Sequence, residues 1–98
     1  MELKRVVVTG LGAITPVGNS PEETWQNLVA GKSGAAPITQ FDTTNFKTKF
    51  ACEVKNLNVC DYLDRKEVRK MDRYTQLAMI SAIQGVKDSG LDLETVDK

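Results

Sequence analysis

An α/β architecture is what the sequence predicts, and three stretches predict it. They are a valine run closed by Gly-Leu-Gly, a helix opening marked by Ser-Pro-Glu-Glu, and a long helical stretch that ends at Gly90. Arg5 to Gly12 reads Arg-Val-Val-Val-Thr-Gly-Leu-Gly. Consecutive β-branched residues without polar alternation suit a strand buried on both faces, as in a parallel sheet. Ser20 then offers an N-cap hydroxyl, Pro21 has its torsion preset for the first helical position, and Glu22 and Glu23 place carboxylates at the positive end of the dipole. The helix runs for about three turns. Trp25, Leu28 and Val29 form its expected buried stripe, and Gly31 supplies the left-handed stop.

From Lys32 to Lys49 no period survives, and Ile38, Phe41 and Phe46 are expected to pin this loop. Phe50, Cys52 and Val54 alternate with Ala51, Glu53 and Lys55, the period of a half-buried strand, which points Cys52 with Phe50 toward a core. Asp61 to Gly90 reads helical, with Asp64 and Glu67 as a second cap pair and Gly90 as terminator. The pattern admits one helix or two with a joint near Asp72. Leu77, Met79, Ile80, Ile83 and Val86, with Ala78 and Ala82, take up most of the circumference. Such a helix needs more covering surface than 98 residues provide, so the chain is expected to be a tight oligomer or, in preference, the front end of a longer protein, marginal and association-prone when alone.

Composition narrows the chemistry. Thirteen Lys and Arg balance thirteen Asp and Glu, which removes the general attraction that nucleic acid or a membrane surface requires. There is no histidine, so Ser-His-Asp, Cys-His and His-metal chemistry are excluded within these residues. Cys52 and Cys60 have seven residues between them, fitting neither a CxxC redox pair nor a zinc knuckle, and no metal site is expected. The longest apolar run, Leu77 to Ile80, is far below the roughly 20 residues of a spanning helix. Met1 leads straight into charged residues, so a cytoplasmic protein without leader or membrane segment is expected.

Two glycine motifs fail as phosphate cradles. In Gly10-Leu11-Gly12 the third glycine of a dinucleotide fingerprint is replaced by Thr15, and the helix opens only at Ser20, which favours a tight strand-exit turn. Gly31-Lys32-Ser33 follows a helix where a P-loop must follow a strand, so it reads as a helix stop. Cys52 lacks a histidine partner and sits beside Glu53, the opposite of what a nucleophilic thiolate needs. The run Arg65 to Arg73 carries five cations and two anions. On one continuous helix Lys66, Arg69, Lys70 and Arg73 would share a face, with Val68 and Met71 turned inward. By composition alone a solvated face is the commoner outcome. With an acidic or phosphate-bearing partner the same face would raise association rates and fix register.

Taken together, these residues resemble the β-ketoacyl-acyl-carrier-protein synthases of type II, condensing enzymes of thiolase fold. The resemblance spans essentially the whole chain. It is carried by Arg5 to Gly12, Thr15 to Gly18, Ala30 to Gly34, Pro37-Ile38, Phe41-Asp42, Lys49 to Ala51, Arg65 to Asp72, Gln76 and Asp88 to Leu91. It implies the start of a mixed five-stranded sheet with helices on both faces, residues 1–98 being an incomplete part of the ketosynthase N-terminal domain. The implied activity is elongation of fatty acyl chains by decarboxylative Claisen condensation of an acyl thioester with malonyl-acyl-carrier-protein, without a cofactor. The family's catalytic cysteine and two histidines have no counterpart here, and Cys52 and Cys60 do not match that cysteine, so no catalytic residue is expected in this chain. The resemblance further implies homodimerisation and docking of acyl carrier protein on Lys66, Arg69 and Lys70. The competing readings are a non-catalytic module that binds an acidic partner and a nucleotide-binding α/β domain using Gly10 to Gly18.

Overall fold

The computed structural model describes residues 2–95; Met1, on which the leaderless start is read, and residues 96–98 lie outside them. The elements in order are α1 (Pro21–Val29), β1 (Ala35–Pro37), β2 (Phe50–Cys52), a single 3₁₀ turn (Val59–Asp61), α2 (Arg65–Val68) and α3 (Arg73–Ser89).

Local capping chemistry sets the helix ends. Ser20 is extended at the N-cap and its hydroxyl accepts the Glu23 N–H at 3.2 Å. At the other end Gly31 adopts φ 73°, its N–H bonds the Leu28 carbonyl, and the Lys32 N–H bonds the Asn27 carbonyl. That pair of bonds is the Schellman arrangement, so Gly31-Lys32-Ser33 is a helix stop. Gly90 ends α3 in the same left-handed region at φ 70°. The helical stretch is interrupted: Asp72 takes an extended N-cap geometry and starts α3 as a separate helix. Asp64 also occupies an N-cap position, but its side chain makes no capping bond, so the expected second cap pair is not formed.

β1 and β2 form a two-stranded antiparallel ribbon with Ala36 opposite Ala51, and the Ile38 N–H to Lys49 carbonyl bond prolongs it. In the loop beyond, Phe41 and Phe46 pin each other edge-to-face with centroids 5.4 Å apart, and both stay more than half exposed. The ribbon has no covering layer on the face of Phe50 and Cys52. Both are exposed, and the half-buried residue of β2 is Ala51, which reverses the inward orientation expected for Cys52. Alternation assigns residues to two faces, but a second layer decides which face is covered.

The valine run departs furthest from expectation. Among the described residues Val6 to Val8 pair with no strand and are 90%, 67% and 79% exposed. A parallel strand needs neighbours to take its N–H and C=O groups, and the two strands here pair with each other. Trp25, Leu28 and Val29, the expected buried stripe of α1, are likewise exposed. Ile80 on α3 is the one fully buried large apolar side chain among the described residues. The Cα radius of gyration is 17.3 Å, against about 13 Å for a compact domain of this length, so the chain is an open frame rather than a closed core.

Polar clasps hold that frame. Gln84 accepts the Ala13 N–H at 2.9 Å and donates to the Asn19 carbonyl at 2.7 Å. Lys55 Nζ donates to the carbonyls of Gly34, Glu53 and Pro16 at 2.7, 2.9 and 3.2 Å. Asn19 returns a bond to the Lys55 carbonyl, and Asn27 donates to the Val17 carbonyl. These bonds tie the Thr15–Gly18 turn to α1, α3 and the ribbon.

Candidate functional site

Gly10 to Gly18 offers no seat for a nucleotide. The segment lies directly on α3, where a β-carbon at Gly10 would sit 2.2 Å from the Gly85 carbonyl oxygen. Ser81, Gly85 and Ser89 repeat every fourth residue, so they stack along one helix face under the crossing chain. The Leu11 N–H bonds Asp88 Oδ2 at 3.0 Å and holds the crossing in place. The glycines therefore serve close chain-to-helix approach. They do not form the strand-exit turn expected from sequence, and the space a pyrophosphate would need is filled by α3. The turn lies further on, where Thr15 and Gly18 exchange backbone hydrogen bonds at 2.8 and 3.2 Å.

The basic run is the remaining candidate. Lys66 lies in α2, Arg69 is its C-cap, and Lys70 follows in a turn closed by the Lys70 N–H to Glu67 carbonyl bond at 3.0 Å. All of these cations are exposed, while Val68 and Met71 are half-buried beneath them, as their spacing predicts. The face is not one continuous helix, however. Arg73 opens α3 on the far side of Asp72, so the grouping of four cations on one helix face reduces to three on a short helix and its closing turn. Gln76 on α3 reaches back into this turn, its Nε2 donating to the carbonyls of Met71 at 3.1 Å and Val68 at 3.3 Å. Sequence reasoning assigned Gln76 no physical role, because a side-chain bond between two helices leaves no period to read.

Cys52 and Cys60 are both free and exposed. No helix among the described residues is long and apolar enough to cross a membrane.

Comparison with known proteins places this frame. Residues 3–98 match the family described as beta-ketoacyl synthase, N-terminal domain. The chain belongs to that family. It is 47% identical over 90 residues to 3-oxoacyl-[acyl-carrier-protein] synthase 2 of Staphylococcus aureus (strain COL), covering 92% of this chain and 22% of that protein. It is 50% identical over 93 residues to the protein of the same name from Coxiella burnetii (strain RSA 493 / Nine Mile phase I), covering 95% of this chain and 22% of that one. Among solved structures it is similar to the ishigamide ketosynthase/chain length factor, with a TM-score of 0.84 and 37% identity over 94% of this chain and 23% of the other. The chain thus spans about a fifth of the length of these relatives. A likeness of this strength supports a thiolase-like fold for the segment, although the sheet seen here is a two-stranded antiparallel ribbon.

Proposed function

We propose that residues 1–98 form the leading part of the N-terminal domain of a longer condensing enzyme. That enzyme elongates fatty acyl chains by decarboxylative Claisen condensation of an acyl thioester with malonyl-acyl-carrier-protein. In this reaction malonyl thioester loses carbon dioxide, the resulting carbanion attacks the acyl thioester carbonyl, and a new carbon–carbon bond forms as the thiolate that had carried the acyl group leaves. In this reading the nucleophilic cysteine and the assisting histidines belong to the remainder of that enzyme, and this chain holds no histidine. Within the whole enzyme, a cytoplasmic homodimer without a cofactor, Val6 to Val8 would pair in the mixed five-stranded sheet and lose their exposure. The bare valine and tryptophan surface weighs against a free-standing adaptor.

The contribution of this segment is carrier-protein docking through Lys66, Arg69 and Lys70. The observation that carries this reading is the exposure of Lys66, Arg69 and Lys70 together on one short helix-turn unit, in a chain of zero net charge that belongs to a ketosynthase family. Exposed charges of this kind act mainly on encounter rate and orientation, and salt screens them.

The test is the double reversal Arg69→Glu with Lys70→Glu in the complete synthase. The Michaelis constant for acyl carrier protein is expected to rise about tenfold at low salt, and its salt dependence to weaken. Unchanged kinetics with carrier protein at low salt would remove the docking assignment.

A further inference from the structure

We infer that Gln76 is a positioning residue for the docking face, an inference that rests on the docking role of Lys66, Arg69 and Lys70. Arg69 and Lys70 lie between two carbonyls, those of Val68 and Met71, and a single side-chain amide nitrogen bonds both, at 3.3 and 3.1 Å. A side-chain NH₂ has two hydrogens, one for each carbonyl. The clamp is part-buried and is mounted on the first turn of α3, where the Gln76 N–H is itself bonded to the Asp72 carbonyl at 3.0 Å. Among the described residues α3 is the longest helix and carries the one fully buried large apolar side chain, Ile80, so it is the rigid body nearest the basic turn.

The turn needs such a brace. α2 has four residues, too few to hold a helix by its own hydrogen bonds, and the Asp64 side chain does not cap it. Only local backbone bonds close the turn, Lys70 N–H to the Glu67 carbonyl at 3.0 Å and Met71 N–H to the Val68 carbonyl at 3.2 Å, and the Gln76 amide joins it to α3. With both ends of the Arg69–Lys70 pair tied to α3, the two cations leave the backbone from a fixed stretch of chain, and less conformational entropy is lost when a partner orders them.

The experiment uses the complete synthase with Gln76→Met, which matches the length of glutamine and removes both donors. The Michaelis constant for acyl carrier protein is expected to rise about fivefold. The turnover number, and the Michaelis constant for a carrier-free acyl thioester, should remain at wild-type values. Gln76→Asn, one methylene shorter and unable to span both carbonyls, should show the same split and serves if the Met variant does not fold. Wild-type carrier-protein kinetics in either folded variant overturn the inference, as does an equal loss with the carrier-free substrate, which marks a general structural role. The Arg69→Glu/Lys70→Glu enzyme is assayed alongside. If it also leaves carrier-protein kinetics unchanged, the docking reading has failed; if it raises the constant and Gln76→Met does not, the clamp alone is wrong.

Discussion

Gly12 lies so close to Ser81 that a β-carbon on the glycine would stand 1.8 Å from the serine carbonyl oxygen. Neither atom belongs to a flexible side-chain end, so the clash can be relieved only by lifting residues 10–13 off α3. Gly12→Ala should therefore destabilise the protein that carries this segment by about 3 kcal/mol, read from its denaturation midpoint. Gly31→Ala is the control. Its surroundings are open and only the left-handed backbone at φ 73° opposes the change, so a loss of about 1 kcal/mol is expected. Equal losses at both positions would contradict the close crossing.

Gln84 divides its two bonds between separate segments, which makes its contribution gradable. Gln84→Leu strands the Ala13 N–H and the Asn19 carbonyl and should cost about 2 kcal/mol. Gln84→Glu keeps an acceptor for Ala13 and loses the donor to Asn19, so it should fall between Leu and wild type. Denaturation midpoints in the order wild type, Glu, Leu are the expected result.

Lys55 spends its ammonium group on three backbone carbonyls. Lys55→Met leaves them without that donor and should cost about 2 kcal/mol. Lys55→Arg should not restore stability, because a planar guanidinium cannot direct donors as a compact ammonium does. Hydrogen exchange at the β1–β2 ribbon should rise in both variants, and protection equal to wild type in the Arg variant would refute the ammonium geometry.

Asp42 supplies a pH-dependent prediction. Its carboxylate accepts the Thr44 hydroxyl at 2.6 Å and the Thr44 N–H at 3.0 Å. These bonds, the hydroxyl first, hold its pKa below the ordinary carboxylate value, against a smaller opposing effect of burial. A depressed carboxylate stabilises the loop fully above its unfolded pKa, and the contribution is lost as pH falls through the folded one. The Thr44 amide resonance should shift in that acid range and not near neutrality. Asp42→Asn, which keeps an acceptor oxygen without a titrating proton, should abolish the transition.

Much of the helical framework was legible because its causes are local. The Ser20 cap and the stops at Gly31 and Gly90 each depend on hydrogen bonds closed within a few residues. The basic run was legible as composition, and its burial pattern at Val68 and Met71 followed from helical spacing. Its division into two helices was not, because Asp72 fits either a helix interior or an N-cap, and only the folded backbone chooses. Gln76, Gln84 and Lys55 were silent as clasps for a different reason. Gln84 bonds residues 65 and 71 positions away and Lys55 bonds one 39 away, and neither separation has a repeating spacing. Cys52 shows the same limit from the side of packing: the alternation was read, but the covered face was not the expected one.

The amino-acid sequence by itself determined where α1 begins and stops and where α3 ends, that the segment carries no histidine, and that its cations gather between Arg65 and Arg73. These follow from short-range backbone bonding and from composition, which need no partner. The tertiary structure decided which surfaces are covered: Gly10 and Gly12 pressed against α3, Arg69 and Lys70 braced by Gln76, and Val6 to Val8 left in solvent. Burial is a property of two surfaces meeting, so an apolar run states only the need for a partner, and the fold determines whether one is present.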